Sequence, residues 1–173
     1  MSTARQRRGR LSLVALALTA TLAGGAGAAF ADIATPETPP PASTATPSGT
    51  PVPGTPCTTS ADACVDLTSH TAWLLDDGQI TRTVPFLDGD PRTPTPPGTF
   101  AVDWKAQNYH SREYDSPMPF SVFFAPGGIA FHEGSLNNPS AGCVHLQRPD
   151  AIAFFDALQV GDQVQVHGEH RPR

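Results

Sequence analysis

The sequence contains little cysteine and little positive charge, and each shortage argues against one kind of binding site. Only 3 of its 173 residues are cysteine and they form no Cys-x-x-Cys pair, so the spacing of a common zinc site is missing. Its 11 Lys and Arg residues face 16 Asp and Glu residues, which gives a net charge of −5. A nucleic-acid-binding surface needs a basic face, so we expect no nucleic-acid partner. No motif indicates a protein partner.

The N-terminal segment has the composition of a signal peptide. Arginines precede a short apolar run at 11–22, and Ala29-Phe30-Ala31 fits a cleavage site. The run is too short for a membrane-spanning helix. We therefore expect residues 1–31 to be a signal peptide, with an uncleaved anchor as the alternative and the choice between Sec and Tat export open. Removing its four arginines leaves 7 basic and 16 acidic residues, a net charge of −9.

Three further regions follow from composition. Residues 32–56 are rich in Pro and Thr and lack aromatic residues, so they predict a disordered linker. If extended, this linker reaches roughly 80 Å. Its composition fits either a spacer or a leader segment without a function of its own. The predicted folded domain spans 57–168, and residues 169–173 form a short tail.

The domain reads as mostly β. Asp76-Asp77-Gly78 between two strand-like runs predicts a β-hairpin. Further strands are predicted at 99–104, 120–125, 129–132 and 163–166. Residues 105–119 are polar and predict a long loop, which is either a lid over a site or an ordinary exposed loop.

One helix is predicted in the C-terminal half. Pro149 suits a first helical position, and Asp150 places negative charge at the positive end of the helix dipole. Gly161 ends the pattern. Apolar residues recur with helical spacing at Ala151, Phe154, Phe155 and Leu158.

The odd number of cysteines leaves one thiol over. Cys57 and Cys64 are close together and can close a small loop in an oxidising compartment, which leaves Cys143 single. Pairing of Cys143 with either of the other two is the alternative, because connectivity cannot be read from sequence. A leftover cysteine in an exported chain is an intermolecular bridge or a reactive thiol.

Two histidines stand near that leftover cysteine. His132 ends an apolar strand, and a turn-rich loop could fold it back against Cys143. His145 would share a face with Cys143 in an extended segment. Gly142 permits a tight turn that aims backbone N–H groups at a developing oxyanion. A thiol needs a base to act as a nucleophile, so a catalytic pair is one reading, and a cysteine that only fills the core is the other.

Several ordered motifs resemble the L,D-transpeptidase catalytic domain (the YkuD-type family). Ser140-Ala-Gly-Cys-Val-His145 resembles its Ser-His-Gly-Cys signature. Thr93-Pro-Thr-Pro-Pro-Gly-Thr-Phe100 and Met118-Pro-Phe120 resemble two upstream segments of the family. The helix and the Gly161-Asp162 strand match its C-terminal end, so the likeness covers about 62–167.

The resemblance implies a β-sandwich with one packed helix and a cysteine acyltransferase that needs no metal or cofactor. It makes Cys143 the nucleophile and His132 the general base, with a ring nitrogen held by the Glu133 backbone carbonyl. Ser140 and Gly142 take the turn positions. Two residues depart from the pattern: Ala141 stands where the family often has histidine, and His145 stands where Arg or Asn is usual.

The resemblance also implies a substrate and a location. Stem peptides of peptidoglycan would be cross-linked with release of D-alanine, in cell-wall synthesis that maintains cell shape, and carbapenem-type β-lactams would be inhibitors. The protein would then be secreted, extracytoplasmic and associated with the cell wall. Met118, Phe120 and Tyr109 are candidate substrate contacts, although Phe120 also suits the core. An L,D-carboxypeptidase with the same acyl-enzyme and a catalytically silent wall-binding module are the alternatives.

Overall fold

A computed structural model describes residues 49–170. The predicted signal peptide, linker residues 32–48 and tail residues 171–173 lie outside the described residues. The described part holds nine strands and one helix, so the prediction of a mostly β fold with one helix is confirmed. The strands are β1 (Ala63–Asp66), β2 (Thr71–Asp76), β3 (Gln79–Pro85), β4 (Gly98–Ala101), β5 (Trp104–Ser111), β6 (Ser116–Ala125), β7 (Ile129–Glu133), β8 (Val144–Leu146) and β9 (Gln163–His167), and the helix is α1 (Arg148–Ala157).

The strands form two sheets with one shared core. The first sheet has the order β3-β2-β1-β9-β4, and the second has the order β5-β6-β7-β8. One cluster of buried side chains draws on both sheets and on α1, for example Val65, Phe131 and Phe154. The rings of Phe131 and Phe154 pack with centroids 5.0 Å apart. Burying each such side chain stabilises the fold by about 1.5 to 3 kcal/mol, so α1 is held mainly by packing.

The predicted hairpin between β2 and β3 is present. Asp76 pairs with Gln79, which leaves Asp77 and Gly78 as a two-residue turn with φ of 50° and 74°. Positive φ at both positions is the geometry of a type I′ turn, for which Asp-Gly is a preferred sequence.

The helix lies where its periodicity predicted it. Pro149 stands in its first turn, and Ala151 and Phe154 are its buried residues. The helical residues end at Ala157, before the predicted stop at Gly161, and Leu158 caps the helix by donating its N–H to the Phe154 carbonyl. None of the helices in the described range is long and apolar enough to cross a membrane.

Two predictions about the middle of the chain are wrong. The predicted strand at 99–104 is divided between the sheets: β4 ends at Ala101 and pairs with β9, whereas Trp104 begins β5 and pairs with β6. The predicted polar loop at 105–119 is a hairpin of β5 and β6. Most side chains of β5 are exposed or half-buried, so its sequence carries no apolar alternation that would reveal a strand.

The packed region is also wider than the predicted 57–168. Val52, which the composition assigned to the linker, is buried in a cluster with Cys57 and Trp73. At the other end, the Glu169 N–H donates to the Thr68 hydroxyl, and the His170 ring contacts the Asp88 carboxylate. Described residues on both sides of the expected boundaries are therefore part of the domain.

Candidate active site

Two adjacent parallel strands carry the predicted site. In the register of β7 and β8, Phe131 pairs with Val144 and His132 pairs with His145. Phe131 and Val144 point into the core, where both are fully buried. Because side chains alternate along a strand, His132, His145 and Cys143 emerge on the opposite face, and all three line one cavity.

The His132 ring is buried and held in one orientation. Its Nδ1 lies 2.7 Å from the backbone carbonyl oxygen of Glu133. A carbonyl only accepts, so Nδ1 carries the proton and Nε2 keeps a free lone pair. Burial, with the neighbouring charge of His145 as a smaller cause, lowers the pKa of His132 to about 4. The ring is therefore an unprotonated base at neutral pH.

The Glu133 side chain ties the end of β7 to the helix. Arg148 at the start of α1 donates to the Glu133 carboxylate at 2.8 Å. Glu133, whose backbone carbonyl orients His132, is therefore also held through its side chain by Arg148.

The Cys143 thiol is half-buried and free of any disulfide. Its Sγ lies 3.7 Å from the Gly128 carbonyl oxygen in the turn between β6 and β7. Burial raises the pKa of Cys143, and a backbone hydrogen bond from Ala130 opposes that rise. The resting group is thus a thiol rather than a thiolate. Cys57 and Cys64 form the disulfide that their spacing predicted.

The turn before Cys143 is braced by the Ser140 hydroxyl. This hydroxyl donates to the Cys143 carbonyl at 2.6 Å and accepts the Gly142 N–H at 3.1 Å. Gly142 has φ of 105°, which disfavours any residue with a side chain, and an added Cβ would lie 3.2 Å from Ile129. Ser140 and Gly142 therefore shape the turn, whereas Ala141 contributes only a wall of the cavity.

Thr95 braces the same turn, and its role was not predicted. Its buried hydroxyl donates to the Gly142 carbonyl at 2.9 Å and accepts the Gly89 N–H at 3.2 Å. In a planar trans peptide the C=O and the N–H point in opposite directions, so the Cys143 N–H points away from Thr95. The only sequence feature that points to Thr95 is the Pro-Thr-Pro-Pro segment. Prolines make this segment irregular, so its polar groups need hydrogen-bond partners elsewhere in the fold.

Gly89 explains how closely the two chain segments approach. A Cβ at Gly89 would meet the Thr93 carbonyl oxygen at 2.1 Å and the Gly142 Cα at 2.8 Å. The adjoining residue Asp88 accepts the Ser140 N–H through its carbonyl at 3.2 Å. Residues 88–90 thus form a support for the motif turn that only the tertiary structure reveals.

A cavity of about 960 Å³ opens above the thiol. Tyr109 and Met118, two candidate substrate contacts, line it, and Met118 packs in one apolar cluster with Phe123. Phe120 does not line it: the ring packs 6.0 Å from Phe155 and below the Arg148 guanidinium, so a substrate contact by Phe120 is corrected to a packing role.

Two exposed aromatic residues also lie at the cavity: Tyr114 belongs to the 105–119 segment, for which a lid over the site was one reading, whereas a contribution from Trp104 was not predicted. Trp104 is 39% exposed and stacks on Phe123 with centroids 3.7 Å apart. Tyr114, at the tip of the β5–β6 hairpin, also lines the cavity, and the charge of the neighbouring Glu113 raises the pKa of its hydroxyl. The hairpin, predicted as a loop, therefore forms one wall of the site.

The site is built for thiol chemistry. Among residues 49–170, no cluster of three or more His, Cys, Asp or Glu side chains could hold a metal ion. A thiol and an oriented imidazole line one cavity, a combination that suits a nucleophile and its base. Fold and site together define a class: a mostly β domain with a cysteine–histidine pair suited to acyl transfer.

Comparison with known proteins gives the family. The model of the L,D-transpeptidase catalytic domain, YkuD, matches residues 60–166, so the chain belongs to this family. L,D-transpeptidase 1 of Mycobacterium tuberculosis is 30% identical over 121 residues, which cover 59% of this chain and 48% of that protein.

Solved structures agree with the family. The L,D-transpeptidase of Stackebrandtia nassauensis superposes with a TM-score of 0.59 at 30% identity, over 62% of this chain and 55% of that one. The L,D-transpeptidase LdtMt1, solved in complex with imipenem, superposes with a TM-score of 0.57 at 26% identity, over 64% and 60% of the two chains. The chain thus spans about half of the curated relative and somewhat more of these solved chains.

Proposed function

We propose that the protein is an exported L,D-transpeptidase that cross-links stem peptides of peptidoglycan through a thioester on Cys143. The observation that carries the proposal is the His132 ring, fixed by Glu133, on the same strand-pair face and in the same cavity as the Cys143 thiol. Membership of the L,D-transpeptidase family supports the substrate class.

The first step transfers an acyl group to the enzyme. His132 Nε2 accepts the Sγ proton while Sγ attacks the carbonyl carbon of a bond between an L-centre and D-alanine. The Cys143 N–H, aimed by the Thr95–Gly142 hydrogen bond, stabilises the oxyanion. The tetrahedral intermediate collapses, the carbon–nitrogen bond breaks, and the His132 imidazolium donates its proton to the leaving amine of D-alanine.

The second step transfers the acyl group to an acceptor. A stem-peptide amine attacks the thioester carbonyl carbon and loses a proton to His132 Nε2. The carbon–sulfur bond then breaks, and the thiolate regains its proton from the imidazolium. The product is a peptide cross-link and the enzyme returns to its starting state, so protons and electrons balance without a metal or cofactor.

The protonation states of the free enzyme fit this sequence. A His132 pKa of about 4 and a raised Cys143 pKa give a neutral imidazole beside a neutral thiol at pH 7. Proton transfer then accompanies attack and does not precede it. The neutral imidazole is ready to accept at any pH well above 4.

Location and inhibition belong to the same proposal. The basic and apolar N-terminal pattern of 1–31 supports export, and the Cys57–Cys64 disulfide suits an oxidising compartment. We expect β-lactams of the carbapenem class to acylate Cys143, because the related LdtMt1 was solved in complex with imipenem.

Intact-protein mass spectrometry tests the function. The protein is mixed with imipenem and, separately, with a tetrapeptide stem with and without an acceptor stem. The expected results are an imipenem adduct that disappears in Cys143→Ala and cross-linked dimers in the presence of the acceptor.

Two outcomes would contradict the transferase. Trimmed stems without dimers would identify an L,D-carboxypeptidase, in which water replaces the acceptor amine. Failure of the wild-type protein to form any adduct, at a pH where iodoacetamide labels Cys143, would identify a silent wall-binding module.

A further inference from the structure

His145 is the departure from the signature that the structure makes most conspicuous. Strand β8 is paired along both of its edges at His145. On one edge, the His145 N–H donates to the Leu87 carbonyl at 2.8 Å, and the His145 carbonyl accepts the Leu87 N–H at 3.1 Å. The parallel pairing with β7 lies across the other edge. The imidazole therefore projects from a fixed point of the sheet.

The ring of His145 meets the ring of His132 directly. The centroids are 4.8 Å apart and the planes are inclined by 80°, an edge-to-face contact. Since the two residues are register partners on one sheet face, the contact follows from the backbone. The side chain at position 145 thus determines the surface on which the His132 ring packs.

The ring also holds the loop that joins the two catalytic residues. His145 Nδ1 lies 2.9 Å from the Ser135 carbonyl oxygen. Residues 134–139 lead from the end of β7 to the turn at Ser140. The loop is therefore anchored on His145 at Ser135, shortly after β7 ends.

Gly134 provides independent support for this packing. A Cβ there would lie 2.5 Å from both Cγ and Cδ2 of His145, closer than real contacts permit. The Gly134 N–H donates to the Leu146 carbonyl at 2.9 Å, which extends the strand pairing. Glycine at 134 is therefore required by the space that the ring occupies.

We propose that His145 is a positioning residue that anchors the 134–139 loop over Gly134 and fixes the edge against which the His132 ring rests. The proposal deepens the acyl-transfer function and rests on it. The His145 Nδ1 is engaged by the Ser135 carbonyl and the ring packs against His132, so the ring acts through His132 and is not itself the base.

The titratable and charged groups around His145 determine how pH affects this part of the site. His132 and Cys143 are the titratable groups on the same sheet face, and the charged groups lining the cavity are Asp90, Arg92, Arg112 and Glu113. Burial lowers the pKa of His145, and the hydrogen bonds to Ser135 and Asn138 oppose that effect. Charge on His145 in turn contributes to the lowered pKa of His132.

The test combines two sites. His145→Phe keeps a ring but loses the hydrogen bond to Ser135, and we expect imipenem acylation to slow about 10- to 100-fold, as misplacement of a catalytic group does. His145→Asn restores part of the rate, because its amide can still donate to Ser135.

Gly134→Ala slows acylation in the wild-type background but changes it less than about twofold beside His145→Ser, where the space is free.

Two readouts separate positioning from general loss of structure. The NMR titration midpoint of the His132 ring should move upward in His145→Phe, because a neighbouring positive charge is gone. The pH profile of iodoacetamide alkylation of Cys143 reports the thiol without any substrate. Val160→Ala, at a 65% exposed position outside the cavity, is the matched control and should behave as wild type, and all variants are compared only where thermal unfolding shows a folded protein.

Either of two results would overturn the proposal. One is wild-type acylation with an unmoved His132 midpoint in His145→Phe. The other is an equal effect of Gly134→Ala in both backgrounds. If imipenem never acylates the wild-type protein while the pH profile of Cys143 alkylation changes in His145→Phe and is partly restored in His145→Asn, the function in acyl transfer fails and the positioning by His145 stands.

Discussion

Replacing Thr95 with valine removes one hydroxyl and leaves the shape of the side chain nearly unchanged. That hydroxyl makes two buried hydrogen bonds, to the Gly142 carbonyl at 2.9 Å and from the Gly89 N–H at 3.2 Å. Thr95 is 1% exposed, so water does not replace it easily. Each unsatisfied buried group costs about 1 to 3 kcal/mol, and two groups lose their partner, so we expect Thr95→Val to destabilise the fold by about 2 to 6 kcal/mol.

The same substitution should slow chemistry. The Gly142 carbonyl loses its partner, so the Gly142–Cys143 peptide is free to rotate and the Cys143 N–H is no longer held toward the oxyanion. Loss of one oxyanion donor costs about 100- to 1000-fold, and partial misalignment should cost about 10- to 100-fold in acylation by imipenem.

Urea unfolding and intact-mass kinetics measure the two effects separately. With a slope near 2 kcal/mol per M, the midpoint of urea unfolding should fall by roughly 1 to 3 M. Thr95→Ser is the control, because it keeps the hydroxyl and loses only a methyl group worth about 1 kcal/mol. If the valine variant unfolded and acylated like the serine variant, the bracing of the motif turn by Thr95 would be refuted.

Three further predictions concern the thiol, the base and the disulfide. Cys143→Ala should abolish the imipenem adduct in intact-mass spectra, and an adduct in that variant would place the nucleophile elsewhere. His132 has an ordinary pKa of 6.5 when unfolded and about 4 when folded. The unfolded state then binds more protons below pH 6.5, so stability should fall by about 3 kcal/mol between pH 6.5 and 4, and urea titrations of His132→Gln should lack that slope. Serine at both Cys57 and Cys64 opens a loop with a sequence separation of 7 and should cost about 2 to 3 kcal/mol in thermal unfolding, whereas an unchanged midpoint would show that the disulfide is dispensable.

Features that depend on neighbours in sequence were predictable. Asp77-Gly78 specifies a turn because both residues tolerate positive φ, and helical spacing specifies α1 because Ala151 and Phe154 recur on one face. Cys143 and His132 were singled out as the leftover cysteine and a nearby histidine, and the resemblance to a family signature assigned their roles. The pairing of Cys57 with Cys64 was favoured by their short separation.

Features that depend on contacts across the chain were decided only by the tertiary structure. Strand β5 has no apolar alternation, because its side chains are largely exposed or half-buried and it gains its pairing from β6. Thr95 lies 47 residues before Gly142, and no local pattern records that its hydroxyl supports that carbonyl. His145 looked like a departure of uncertain role until the space over Gly134 was visible. The sequence by itself indicated which residues to propose for the chemistry, whereas their orientation came from hydrogen bonds and close contacts between segments distant in the chain, which sequence periodicity does not encode.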